Sequence, residues 1–336
     1  MPAITFITPQ NISGTYDATW RSYDCTSILP GGFTASGVLI RYRFSTDATD
    51  SSTVGFRRGD STDTTTWRAH CATGGAQWSY AACGIDSADD TFDYNVGTTN
   101  GTPVVQVVGF FDSAHVKFRQ NAATFTPGEA VYSDINIATA TGADTAVAAI
   151  FQVWSDRGMF NKIAWRKNGS SEDIYGFPGE QTQNSGTNSG TGLAICGVDG
   201  SEIFEAKQES ANGGDCIALV GYFVSGITWN DPATDASTAT TGSYQDVSVS
   251  GHAVYCEMLH TAGTEDTDYY VTKNEIGDDY YDAGPAYQQM LLEVDTGNKI
   301  RQKISATTLD LYMRATITAG TAQAPRSMHI NRMMRG

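Results

Sequence analysis

The sequence predicts an all-β chain of three tandem antiparallel β-sandwiches, jelly-roll-like in character. Three observations predict it. Of 336 residues, 35 are Gly and only 17% are charged, with Thr, Ser and Ala abundant; that composition suits strands joined by polar turns and fits poorly with helical bundles. The chain also repeats itself at intervals of about 110 residues. Finally, apolar and polar residues alternate over short runs punctuated by Gly, Asn, Asp and Thr, and hardly any window carries an i, i+3, i+4, i+7 apolar stripe.

The repeat can be followed element by element. Tyr23-Asp24 precedes the apolar run Val38 to Phe44, Tyr132-Ser133-Asp134 precedes Ala146 to Val153, and Tyr244-Gln245-Asp246 precedes Ala253 to Met258. A strand ending in bases and a polar turn comes next: Val54 to Gly59, then Ile163 to Gly169 and, more weakly, Tyr270 to Asn274. Cys83-Gly84-Ile85-Asp86 matches Cys196-Gly197-Val198-Asp199, with Leu292-Glu293-Val294-Asp295 as a degenerate third copy. Thr91-Phe92-Asp93-Tyr94 matches Ile203-Phe204-Glu205-Ala206, and Val107 to Phe111 matches Leu219 to Phe223, with Leu311 to Ala315 in the third place. These last blocks keep offsets of 112 or 113 between the first two copies.

Polar stretches at Asn121 to Pro127 and Asp231 to Gly242 read as the joins. They divide the chain into a first sandwich over 1–125, a second over 126–235, a degenerate third over 236–325 and a basic tail over 326–336. Tandem units of this kind lead to the expectation that the third can be deleted while the first two stay folded. Gln181 to Gly192, all Gln, Thr, Asn, Ser and Gly, reads as a surface loop. Strand alternation is shared by jelly rolls and immunoglobulin-like sandwiches, but the Cys…Trp…Cys pattern of the latter is not recognisable.

The formal net charge is −16, which argues against phosphate-backbone binding and against anionic membranes as partners. No run of about 18 apolar residues occurs, as a membrane-spanning helix requires, and Met1 to Phe6 lacks the charged and apolar regions of a signal peptide. Six cysteines without CxxC spacing, Cys25, Cys71, Cys83, Cys196, Cys216 and Cys256, read as mostly buried thiols of a reducing compartment. A Cys71–Cys83 hairpin bridge is the lesser alternative.

No catalytic constellation stands out. The histidines fall outside ligand spacings, and no GxSxG elbow, Walker loop or GxGxxG occurs; no catalytic residue, cofactor or metal is assigned. Carboxylates cluster at Asp86, Asp89, Asp90 and Asp93 and again from Glu265 to Asp282. Solvated turns are the preferred reading, ahead of a Ca²⁺ site and a glycosidase pair. In the second cluster, Asp278, Asp279, Tyr280, Tyr281 and Asp282 are the weak candidates for glycan or cation binding. Arg57-Arg58 and Arg166-Lys167 recur at the end of one strand and read as edge-blocking charge, with a repeated anion or partner contact as the alternative. Charge is polarised along the chain: 299–336 sums to +6 and 1–298 to −22. Arg326, Arg332, Met333, Met334 and Arg335 are therefore the candidate partner-docking residues, combining steering with adaptable packing.

In these repeated blocks the sequence resembles β-sandwich structural proteins of tailed bacteriophages, including capsid decoration and head-fibre components. Phe56-Arg57-Arg58-Gly59-Asp60-Ser61, the Gly-Ile-Asp and Gly-Val-Asp turns and the closing Leu219-Val220-Gly221-Tyr222-Phe223 carry the likeness. The resemblance implies a non-enzymatic virion protein, made in the bacterial cytoplasm and attached to the capsid or neck through its C-terminal region. Its implied partners are other virion proteins and further copies of itself in a homo-oligomer. A receptor-binding tail or fibre protein recognising host surface glycan is the alternative, and a depolymerase ranks below it.

Overall fold

A computed structural model describes residues 1–44, 53–64, 67–68, 78–97, 103–154, 162–173, 175–178, 191–208, 216–260, 268–273, 281–283, 287–304, 307 and 309–318. The first eight strands are β1 (Ile4–Asn11), β2 (Arg21–Asp24), β3 (Ala35–Phe44), β4 (Thr53–Arg58), β5 (Trp67–Arg68), β6 (Ser79–Gly84), β7 (Thr91–Gly97) and β8 (Pro103–Asp112). They form two antiparallel sheets, β1-β8-β3-β6 and β2-β7-β4-β5. This strand order is that of a jelly roll, the alternative that alternation had left beside the immunoglobulin-like sandwich.

The order recurs twice. In the second unit β9 (Val116–Phe125), β17 (Cys216–Phe223), β12 (Ala148–Trp154) and β15 (Thr191–Gly197) make one sheet. Its other sheet holds β11 (Ser133–Asn136), β16 (Ile203–Gln208), β13 (Lys162–Lys167) and β14 (Tyr175–Pro178), with β10 (Gly128–Glu129) parallel to β16 and one helical turn, α1 (Ala138–Thr141), between strands. In the third, β18 (Ile227–Asp235), β25 (Leu309–Ile317), β20 (Ala253–His260) and β23 (Tyr287–Glu293) face β19 (Gln245–Ser248), β24 (Lys299–Ile304), β21 (Asp268–Lys273) and β22 (Tyr281–Ala283).

The joins lie about ten residues earlier than composition suggests. β9 pairs with β17 and β18 with β25, so the sheets change over at residues 113–115 and 224–226. The polar stretches after Asn121 and Asp231 belong to strand irregularities and the loops beyond them, because the true links are only three residues long and carry no compositional signature.

Cross-strand register also corrects the repeat. Tyr23, Ile135 and Val247 face Phe92, Phe204 and Ile300, so the equivalent aromatics that precede them are Trp20, Tyr132 and Tyr244, spaced by 112 residues each time. In the closing strand Val107, Leu219 and Met313 are equivalent, followed by a bulge residue, Val108, Val220 or Arg314. The third copy is therefore displaced by two residues from the position that order suggests. A slip of two keeps every side chain on its face, which is why the alternation did not reveal it.

Each unit has an interior between its two sheets. Val38, Ile40, Phe56, Phe92 and Phe110 fill the first, and Phe151, Trp165 and Phe204 fill the second, with the Phe151 and Phe204 rings stacked at 5.2 Å. The opposite face of the sheet containing β3, β12 or β20 is buried as well. Leu39, Ala82 and Phe111 of the first unit, Ile150, Ile195 and Phe223 of the second, and Tyr255, Leu291 and Ile317 of the third share one cluster. Strands buried on both faces read as continuous apolar runs, as in Ala148 to Phe151 and Val38 to Ile40. The three units thus share a core, and removing the third would uncover apolar surface on the other two. The expectation that it can be deleted harmlessly is not compatible with this packing.

Four cysteines, Cys25, Cys83, Cys196 and Cys256, are buried thiols. Burial pushes the Cys25 thiol up to about 12, and it raises the thiols of Cys83, Cys196 and Cys256 as well, so they are inert at neutral pH. Cys71 lies outside the described residues.

Candidate interaction surface

The three units are arranged about a pseudo-threefold axis. β6, β15 and β23, the sixth strand of each jelly roll, approach one another pairwise. At one pole the residues that precede β1, β9 and β18 meet: the position of a Cβ on Gly226 lies 3.0 Å from Ala3 Cβ and 3.3 Å from His115 Nδ1. Three equivalent residues can converge on one point only near the axis. Gly226 also has φ of +78°, so both the conformation and the space at this point require glycine.

His115 ties the pole together, with Nε2 3.1 Å from the Met1 carbonyl and Nδ1 2.8 Å from Ser225 Oγ. A carbonyl only accepts, so in the neutral ring Nε2 donates to Met1 and Nδ1 accepts from the Ser225 hydroxyl. Thr318 donates its backbone N–H to Gly226 O at 3.0 Å. Both ends of the described chain therefore stand at this pole. Among the described residues three large hydrophobics are exposed, Met1, Val131 and Val147, and Met1 and Val147 belong to this end.

An aromatic peg near the start of each unit packs against a neighbouring unit. Phe6, Phe118 and Trp229 occupy equivalent places, paired with Gly109, Gly221 and Ala315. Phe118 of the second unit lies on Gly84 of the first, its Cβ 2.9 Å from where a Cβ would be, and Trp229 of the third lies on Gly197 of the second. Phe6 completes the ring against His252 of the third unit, ring centres 6.3 Å apart. The glycine of the repeated Cys-Gly-Ile/Val-Asp block is thus a seat for the next unit's aromatic.

The aspartate of the same block builds a turn. Asp199 Oδ1 accepts the backbone N–H of Ser201 (2.8 Å) and of Ile203 (2.9 Å), Asp86 Oδ1 accepts from Ala88 (3.1 Å), and Asp295 Oδ1 accepts from Lys299 (2.7 Å). The Ile203 N–H, with help from Asn168, holds the Asp199 carboxyl below the usual carboxylate range. A carboxylate with a depressed folded pKa stabilises above its unfolded value, and that contribution is lost as pH falls through the folded value. Asp199→Ala is expected to cost about 1–3 kcal/mol at pH 7 and progressively less as the medium is acidified below the ordinary aspartate range. Urea midpoints measured across that range check this.

Polar locks reinforce the junctions. Ser61 donates to Asn121 Oδ1 at 2.8 Å between units one and two, and Ser170 donates to Asp231 Oδ1 at 2.6 Å between units two and three. The second junction adds a buried charge cluster. Arg314, with 0% side-chain exposure, donates to Glu257 Oε2 at 2.6 Å and to Glu172. Burial alone would lower its pKa, but Glu257 and Glu172 more than offset this and hold it above the ordinary arginine value.

The outer sheets carry a recurring cation–aromatic pair. Arg57 lies 4.1 Å from the Trp20 ring centre and pairs with Asp93 at 2.9 Å. Arg166 lies 3.7 Å from Tyr132 and pairs with Glu205 at 2.6 Å. In the third unit Lys303 stands 5.6 Å from Tyr244, while Asp246 accepts from Lys299 and Arg301. Arg57 and Arg166 sit where β4 and β13 outrun their neighbours β5 and β14, a local edge. Their partners lie on the flanking strands β7 and β16, so cross-strand pairing explains them more fully than edge blocking does.

Of the residues singled out for glycan or cation binding, Asp278, Asp279 and Tyr280 lie outside the described residues. Tyr281 and Asp282 are in edge strand β22, paired with Tyr270 and Tyr269. Arg326, Arg332, Met333, Met334 and Arg335 also lie outside. No grouping of His, Cys, Asp and Glu fit to hold a metal occurs among the described residues. The residues that position the pole, Ala3, His115 and Gly226, and the pegs Phe6, Phe118 and Trp229 were missed by motif reading; the continuous apolar runs and the near-112 spacing are the signals that point to them. The chain matches no protein-family model and no curated protein.

Proposed function

We propose that the protein is a non-enzymatic structural component of a bacteriophage virion, made in the host cytoplasm and attached to the capsid or neck through its C-terminal region. The observation that carries this reading is the sharing of one core by three jelly rolls around an axis, with both ends of the described residues, Met1 and Thr318, at one pole. Such a body is stiff, because interunit faces are packed as interiors are, and it offers one end for attachment and three outer sheets for display. Charge supports the assignment of ends: the three arginines after residue 325 contrast with an acidic body.

The test is co-sedimentation with purified particles. The full chain is expected to travel with particles, and deletion of 326–336 is expected to abolish this while leaving the circular dichroism spectrum of the body unchanged. Unaltered co-sedimentation of the shortened chain sinks C-terminal attachment, and failure of the full chain to associate sinks the structural reading.

A further inference from the structure

We propose that the outer sheet of the third unit is a docking face for an acidic protein surface, on which Lys299, Arg301 and Lys303 meet carboxylates carried by alternate residues of an extended partner strand. This holds whether or not the chain belongs to a particle. Cross-strand register makes the three bases of β24 equivalent to Thr91, Asp93 and Asn95 of β7 and to Ile203, Glu205 and Lys207 of β16. Lys207 is the only base among these six sister residues, so the jelly roll itself does not call for a basic row here. The contrast extends to the neighbouring edge strands: β19 and β24 together carry three bases and one acid, whereas β2 with β7, and β11 with β16, each carry one base and two acids.

The row is open to solvent where its sister charges are covered. Side-chain exposure is 39% at Lys299 and 43% at Arg301, against 17% at Arg57 and 12% at Asp93 in the first unit. In the first two units Arg57 and Arg166 face Asp93 and Glu205 across strands, and the charges close on each other; in the third, Thr272 faces Arg301. Asp246, itself exposed, takes both Lys299 at 2.8 Å and Arg301 at 3.1 Å. One carboxylate shared by two bases leaves positive charge in excess, and exposed pairs of this kind add little to stability, so folding does not account for them. Lys303, 5.6 Å from the Tyr244 ring centre, continues the row. Alternate residues of a strand stand about 6.8 Å apart on one face, which is the spacing at which a second strand presents its own alternate side chains. Complementary charge at that spacing fixes register and orientation. Nucleic acid fits less well, because without these three bases the chain sums to −19 and phosphate binding draws on a longer basic track.

Fluorescence anisotropy with the full-length chain tests this, using a labelled peptide of alternating Glu and Thr, a peptide of the same composition with its Glu in one block, and a single-stranded DNA oligonucleotide of equal charge. The alternating peptide is expected to bind more tightly than either comparator, and less tightly as salt is raised. Lys299→Thr/Arg301→Gln/Lys303→Asn is expected to weaken it about ten-fold, as the loss of three exposed ion pairs would, with an unchanged melting curve because sister strand β7 folds without these bases. Absence of binding, binding that survives the triple substitution, binding lost on deletion of 326–336 alone, equal binding of the two peptides or tighter binding of DNA each overturns the inference. An oligomeric chain that becomes monomeric on the triple substitution assigns the face to a second copy and likewise overturns it. Co-sedimentation with particles is a separate measurement, so the structural function stands or falls independently.

Discussion

Replacing Arg314 with Ala is expected to destabilise the protein by about 3–5 kcal/mol, among the largest effects of any single substitution. The guanidinium is fully buried between Glu257 of its own unit and Glu172 of the second, and its removal leaves two carboxylates facing each other away from water. The repeat provides the control. Val108 and Val220 occupy the same bulge position in the other units, and the equivalents of Glu257 are Gln152 and Arg41. A combined Arg314→Val, Glu257→Gln, Glu172→Gln chain removes every charge together and is expected to recover most of the loss, since buried ion pairs exchange for neutral packing at small net change. Denaturation midpoints decide it: a combined variant as unstable as Arg314→Ala would refute the charge account.

The second large effect is expected at Gly197. A Cβ there would lie 2.5 Å from Trp229 Cγ and 2.9 Å from its Cβ, and an indole wedged between units has little room to retreat. Gly197→Ala is expected to destabilise by about 1–3 kcal/mol through overpacking and to shift Trp229 fluorescence by displacing the ring. Trp229→Ala removes the peg and costs on its own through the space it vacates. The two changes share one contact, so their combination is expected to cost clearly less than the sum of the singles. Strict additivity would mean that the peg does not sit on this glycine. The junction of units one and two offers the same experiment with Gly84 and Phe118.

The second of these predictions falls on a residue whose repeat was legible but whose purpose was not. Gly84 and Gly197 are visible in sequence as members of a repeated block, yet a glycine in a strand signals only that something approaches closely. What approaches is an aromatic from the following unit, more than 30 residues away along the chain in both cases. Asp86 of the same block was read as a solvated turn residue, and its hydrogen bond to the Ala88 N–H is that of a turn, because an Asx turn is a local device. The joins were misplaced for the opposite reason: a three-residue link between paired strands leaves no local trace, while a strand irregularity rich in Asn, Asp and Pro looks like a linker.

The amino-acid sequence by itself determined the all-β class, the threefold repetition, the approximate unit size, the buried thiols and the polarity of charge toward the C-terminus. Each of these follows from side-chain period, turn chemistry or composition, which act over a few residues. Only the tertiary structure decided that the strand order is that of a jelly roll, that the units share a core rather than hang as beads, and that Met1 and Thr318 come to one pole of a pseudo-threefold axis. Those features depend on which strand edges and faces meet, and the free energy that selects them is apolar burial between segments separated by a hundred residues or more. A local pattern records that a strand has two apolar faces. It does not record what lies against the second one.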